Sequence, residues 1–246
     1  MSALYDEIGV DYANLRKPDD RIARRIDAAL GPARTVLNVG AGAGSYEPTG
    51  RDVTALEPSA EMIAQRPPGA APVVQGAAES LPFADDSFDA VMAVLTIHHW
   101  ADQAKGLAEM RRVARQRVVL LTFDPGYRDI WLLDYVPALA ELDAAQMPPL
   151  EFYREHLGKD VVIETLAVPR DCTDGFLYAY WARPQAYLDP RLRKGSSSFW
   201  KLSGLDEGFA RLEADLASGA WREKHGHLLE RPDYDAGYRL VIAPAG

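Results

Sequence analysis

The stretch Val36-Leu37-Asn38-Val39-Gly40-Ala41-Gly42-Ala43-Gly44 decides the fold. A run of buried-type residues passes straight into a loop with glycines at alternate positions. Such a loop lets a backbone turn sharply through positive φ and lets a ligand lie close to the main chain. A dinucleotide fingerprint has the spacing G-x-G-x-x-G, which seats a pyrophosphate at a helix N-terminus. Here the spacing is G-x-G-x-G, and Ser45 stands where the third fingerprint glycine would be. A second β-branched run, Val53–Leu56, ends in Glu57, 17 residues after Gly40. A carboxylate at that strand end can accept from both hydroxyls of an adenosine ribose and would repel a 2′-phosphate. Loop and acid together predict an adenosine site.

Outward from this point the chain alternates. Short apolar runs at Thr35–Val39, Val53–Leu56, Val73–Gln75, Ala90–Leu95 and Val118–Phe123 are separated by helical stretches such as Ser59–Gln65 and Ala101–Arg115. Nearly continuous apolar strands are buried on both faces, as in a parallel sheet covered by helices. The expected fold is therefore α/β and Rossmann-like. It is a doubly wound, mostly parallel sheet of about seven strands, the last one antiparallel, with helices on both faces. Ile22, Ile26 and Leu30 predict a helix over Asp20–Leu30, within an N-terminal helical cap at 1–34. Val161–Val168 and Tyr238–Ala243 read as the remaining strands. The long connections 125–159 and 173–233 are expected to form an inserted, mainly helical lid on a single domain, 1–246. Phe, Trp and Tyr number 7, 5 and 11, and 13 of these lie between Phe123 and Trp200. That excess fits either a small core under long loops or an apolar cover over a ligand.

Composition narrows the function. With 246 residues, 48% hydrophobic and 26% charged, the chain is an ordinary globular one. A formal net charge of −9 disfavours a nucleic-acid partner. The single Cys172 excludes an internal disulfide and a thiolate metal cluster. The longest apolar run, Ala90–Leu95, is far short of the roughly 18 residues of a membrane span. No charged, apolar, small-residue leader opens the sequence, so a cytoplasmic location is expected, with no membrane partner. His225-Gly226-His227 beside Glu223 is too sparse for a metal site, and none is expected. The cluster Arg191-Leu192-Arg193-Lys194 reads as a solvated face.

Four motifs in fixed order carry a resemblance. Val36–Gly44, Leu56-Glu57-Pro58-Ser59, Gly76-Ala77-Ala78-Glu79-Ser80-Leu81-Pro82-Phe83 and Asp86-Ser87-Phe88-Asp89 precede Val94-Leu95-Thr96-Ile97-His98-His99-Trp100. Together they resemble the class I S-adenosylmethionine-dependent methyltransferases, in the small-molecule branch of the ubiquinone-biosynthesis type. The resemblance is strong from Val36 to Asp124 and loose before it. It implies S-adenosyl-L-methionine as cofactor and a small organic acceptor methylated at O, N or C. It also implies that Asn38, Gly40, Ala41 and Gly42 meet the methionine part and that Glu57 binds the ribose. Pro58 and Met62 would flank the adenine, Ala78 and Glu79 its edge, and Leu95 the sulfonium. Tyr12 and Arg16 resemble a pre-core Tyr-x3-Arg pattern, with Arg16 placed to pair with the cofactor carboxylate. The branch commonly has an acid where Asn38 stands and Asp where Ala77 stands. Contact with the cofactor ammonium is thus expected through water or backbone.

Alignment of a nucleophile with an already electrophilic methyl contributes more than a base does, so a catalytic side chain is not required. If one acts, His98 and His99 just beyond the fourth strand are the candidates; otherwise they are structural, one packing on Trp100 and one capping the next helix. Two other readings share these residues: a nucleoside-binding protein or non-methylating enzyme on the same fold, and an NAD-dependent oxidoreductase.

Overall fold

The computed structural model describes residues 15–245. Its centre is a seven-stranded sheet in the order β3-β2-β1-β4-β5-β9-β6. The parallel part comprises β1 (Thr35–Val39), β2 (Asp52–Glu57), β3 (Val73–Gln75), β4 (Phe88–Val94) and β5 (Ala114–Phe123). Val36, Leu37, Ala90, Val91, Met92 and Val118 have no exposed surface, as expected of strands covered on both faces. The last strand, β9 (Tyr238–Pro244), is antiparallel to both β5 and β6 (Val162–Thr165). The predicted doubly wound sheet with one reversed strand is what the chain adopts.

Helix α1 (Asp20–Ala29) packs Ile22 and Ile26 into the core, each 1% exposed. Its N-cap Asp19 accepts from the backbone N–H of Arg21 at 2.9 Å and from the Arg21 guanidinium. That pairing holds the Asp19 carboxyl down at about 2. Burying the two isoleucines contributes roughly 1.5–3 kcal/mol each. Helices α2 (Ala60–Ala64) and α3 (Gln103–Val113) follow β2 and β4. The sequence reading extended α3 to Arg115. In fact Ala114 already pairs with Phe88, and α3 passes into β5 without a loop.

The later connections are mostly helical. α4 (Ala138–Gln146) and α5 (Leu150–Leu157) fill the first. The expected strand Val161–Val168 divides in two. Its first part is β6, and Val168–Pro169 forms β7, which pairs with β8 (Asp233–Tyr234) in a separate two-stranded ribbon. That ribbon closes the base of the second connection. The chain leaves through it, forms α6 (Pro190–Arg193), α7 (Ser197–Lys201), α8 (Leu205–Ser218) and α9 (Ala220–His225), and returns. Arg193 is not solvated as expected. It lies 4.2 Å from the Phe209 ring and donates to the Tyr187 carbonyl. Among the described residues, no helix is long and apolar enough to cross a membrane.

Candidate active site

The carboxyl ends of β1, β2 and β4 open into a cleft of 420 Å³. The glycine loop forms its floor. Gly40 and Gly42 have φ of +68° and +53°, and the N–H groups of Gly40 and Ala41 both donate to the Leu56 carbonyl. A Cβ on Gly40 would overlap the Thr96 hydroxyl, so close packing of two strand ends demands this glycine. Gly42 has another task. Its N–H donates to Glu57 Oε2 at 2.8 Å, while Ser59 N–H donates to Oε1 at 2.9 Å. These bonds fix a carboxylate that is 5% exposed and lines the cleft.

Arg16, Asn38, Gly40, Ala41, Glu57, Pro58, Met62, Ala78, Glu79, Leu95 and His99 all border this cleft. Gly42 does not, and acts through Glu57. His98 instead faces a second cavity described below. Tyr12 lies outside the described residues. Sequence reasoning missed Tyr46 and Thr96, which also line the cleft. Tyr46 carries no motif signal; it enters through its φ of +62° and a long-range bond.

Several walls are tied to one another. Glu79 accepts from the N–H groups of Ala101 and Asp102, joining the loops after β3 and β4. Asp102, rather than a histidine, caps α3 through Lys105 N–H. Trp100 packs on Gly106, where a Cβ would come within 2.5 Å of its ring. The histidine rings lie against each other, with centroids 3.9 Å apart and planes tilted by 46°. Burial, with Lys201 nearby, pushes His99 down to about 3; burial and the neighbouring His99 push His98 well down too.

Asp174 is fully buried and gathers three parts of the chain. It accepts from Arg16 Nε at 2.6 Å and Nη2 at 3.1 Å, from Tyr46 Oη at 2.8 Å, and from Gly175 N–H. Burial and the Asp174 charge push the Tyr46 phenol up.

Beyond Leu95 and Arg16, which border both, lies an inner chamber of 50 Å³. Leu95 has a φ of +51° at the end of β4, an uncommon conformation for a leucine. Phe123, Phe176, Tyr178 and Tyr238 form much of the chamber wall, and Ser196–Ser198 close it from α7. Elsewhere the aromatic excess is core: Trp131 meets Tyr187 and Trp221 edge to face at 5.5 and 5.3 Å. The expectation of a small core under the long connections is met there.

A family profile described as "Methyltransferase domain" matches residues 37–122. A crystal structure from Anabaena variabilis, described as a methyltransferase from an antibiotic biosynthesis pathway, is 35% identical. It superposes with a TM-score of 0.86 over 94% of this chain and 99% of that one. The demethylmenaquinone methyltransferase of Renibacterium salmoninarum is 35% identical over 57% of this chain and 68% of its own. The chain belongs to the class I S-adenosylmethionine-dependent methyltransferases. Its likeness within that family is to the quinone-type branch. A 25% identical relative, the chloroplastic 2-methyl-6-phytyl-1,4-hydroquinone methyltransferase of Spinacia oleracea, matches 66% of this chain and 52% of its own. The chain spans 30% to 52% of the length of this and two other curated relatives.

The residues of this methyltransferase fit S-adenosylmethionine, the family's cofactor. The cleft has the volume of a cofactor site. Asn38 lines it, and among the described residues its buried Oδ1 has no hydrogen-bond partner, while its Nδ2 donates to Glu47 at 3.4 Å. An unsatisfied buried acceptor is costly unless a donor arrives. The ammonium group of the cofactor is such a donor, so Asn38 offers a side-chain acceptor beside the contact through water or backbone expected from the sequence.

Proposed function

We propose that this methyltransferase moves the methyl group of S-adenosylmethionine to a small organic acceptor, at O, N or C, seated at the junction of the cleft and the inner chamber with one group reaching into the chamber. The observation that carries this reading is the junction at Leu95 and Arg16, where the wide cleft meets the narrow, aromatic-walled cavity. When bound, the cofactor supplies an electrophilic methyl on a sulfonium. The chain's own residues then have three tasks.

Glu57 holds the ribose hydroxyls through the lone pairs its two backbone partners leave over. Asn38 receives the ammonium, and Gly40 and Ala41 line the methionine part. Pro58, Met62, Ala78 and Glu79 surround the base. Arg16 faces the cofactor carboxylate from its seat on Asp174; in that seat its guanidinium is shared, so its pull on the cofactor is weaker than a solitary arginine's. The second task is exclusion of water by the connection from 173 to 233, acting as a lid. The third is orientation of the acceptor by the chamber walls, which contributes more than proton removal does.

His98 and His99 take part as neutral groups. A histidine whose basicity has fallen to about 3 holds a proton weakly, so orientation of the acceptor is its stronger contribution. The acidic body and the narrow, aromatic-walled chamber support a small-molecule acceptor rather than a nucleic acid.

Calorimetric titration with S-adenosylmethionine, S-adenosylhomocysteine and NAD tests the cofactor assignment. Binding of the first two in the micromolar range, with none of NAD, is expected. Incubation with isotopically methyl-labelled cofactor and a small-molecule extract tests turnover. Tight cofactor binding with no labelled product in any fraction would favour a nucleoside-binding protein on this fold.

A further inference from the structure

Among the described residues, the inner chamber holds one acidic group, which has no role in holding the cofactor. Asp143 on α4 is 3% exposed and lines the chamber. The Tyr178 hydroxyl donates to its Oδ2 at 2.8 Å. Tyr178 is itself buried, and its backbone N–H donates to the Tyr238 hydroxyl at 3.3 Å. The rest of the wall is mixed: Leu95, Phe123, Met147 and Phe176 are apolar, while Gln146 and Ser196–Ser198 are polar. A buried carboxylate is costly unless groups donate to it, and the Tyr178 hydroxyl and the Gln146 side chain do so here.

Resting on the reading that the acceptor reaches into the chamber, we propose that Asp143 is the residue that selects it. The acceptor carries an O–H or N–H group, or a cationic amine, that donates to the Asp143 carboxylate. Tyr178 positions that carboxylate by occupying Oδ2. Acceptors presenting a carboxylate at that end are rejected by like charge, and those presenting only an ether or hydrocarbon give the carboxylate no further donor. His98 on the same wall has a buried Nδ1 without a partner among the described residues, a second polar atom an acceptor can meet.

This assignment has a pH signature. Burial pushes the Asp143 carboxyl up to about 6, opposed by the hydrogen bond from the Tyr178 hydroxyl, the Arg128 charge and the hydrogen bond from Gln146. The other titratable or charged groups around it are Tyr238, His98 and Arg16 on the chamber wall, Arg128, whose charge reaches the carboxylate, and Lys201, which bonds to Gln146. His98 stays neutral, and Arg16 and Lys201 stay charged over this range. The ionised fraction of Asp143 therefore sets the profile, and affinity for a cationic amine rises as pH increases through about 6.

The test uses the full chain saturated with S-adenosylhomocysteine and four one-ring probes: phenol, benzylamine, anisole and benzoate. Their dissociation constants are measured by ligand-observed NMR between pH 5 and 8. Phenol and benzylamine are expected to bind at least tenfold more tightly than anisole, with benzoate weakest. In Asp143→Asn the ratio of benzylamine to benzoate affinity collapses and the pH dependence disappears. Tyr178→Phe removes only the hydroxyl, so the midpoint for benzylamine moves to higher pH, which a purely structural role would not produce. Equal binding of all four probes, an unchanged preference in Asp143→Asn, or no binding of any probe overturns the proposal. Failure of the unmodified chain to bind S-adenosylhomocysteine would instead overturn the cofactor reading beneath it. If Asp143→Asn alone loses that binding, Tyr178→Phe decides: an unmoved midpoint counts against Asp143.

Discussion

Glu57 shows how much one residue carries. Its position was legible because a strand end 17 residues after a glycine leaves few roles for an acid. Its double task was not, because nothing local reveals that Gly42 and Ser59 donate to it. Glu57→Ala frees two backbone donors and removes the ribose acceptors. It should weaken S-adenosylhomocysteine by roughly 1–3 kcal/mol, about ten- to a hundredfold in calorimetry. An unchanged dissociation constant would remove Glu57 from the site. Gly40→Ala should destabilise the protein, since the new methyl group overlaps Thr96. Adding Thr96→Gly should recover part of the loss in melting temperature. The strain of φ +68° would remain, so full recovery would mean that the overlap was the whole cost.

At the scale of elements, β1 to β5 were readable because strands covered on both faces need unbroken apolar runs. The boundaries failed where tertiary pairing extended a strand past its apolar run, as at Ala114–Arg117 of β5. Asp143, Tyr178 and Asp174 went unseen because they come together only when the second connection folds over the sheet. The ribbon of β7 and β8 anchors both ends of that connection, so mobility belongs in its middle. Residues 195–201 are expected to exchange backbone hydrogens faster than β4 in the ligand-free protein. They should slow when cofactor product and acceptor bind together. Mass-spectrometric exchange checks this; protection already equal to β4 without ligand would make the segment plain core.

For the whole molecule, acid sensitivity follows from the adjacent histidines. Their folded pKa values lie below the unfolded value near 6.5, that of His99 at about 3, so below about 6.5 the unfolded chain binds more protons than the folded one. Stability therefore falls as pH drops below about 6.5, by up to about 1.4 kcal/mol per pH unit for each histidine. Asp19 adds a further loss between about 4 and 2. Urea unfolding at pH 7 and pH 5 measures the first effect. Replacing both His98 and His99 with asparagine should flatten that slope, and an unaltered slope would assign the acid sensitivity elsewhere.

Asp174 also bears on the order in which the protein is made. It joins Arg16 and Tyr46, which are 158 and 128 positions away along the chain. A ribosome delivers the first two long before the third, and closing loops of that length is slow. Arg16 and Tyr46 thus emerge with no carboxylate to meet, although β1 to β3 can already pair beside them. A nascent chain stopped before residue 174 should form parallel sheet yet hold its glycine loop loosely. The cofactor site would then mature as one of the last events of synthesis, timed by a residue far outside the motifs that announce it.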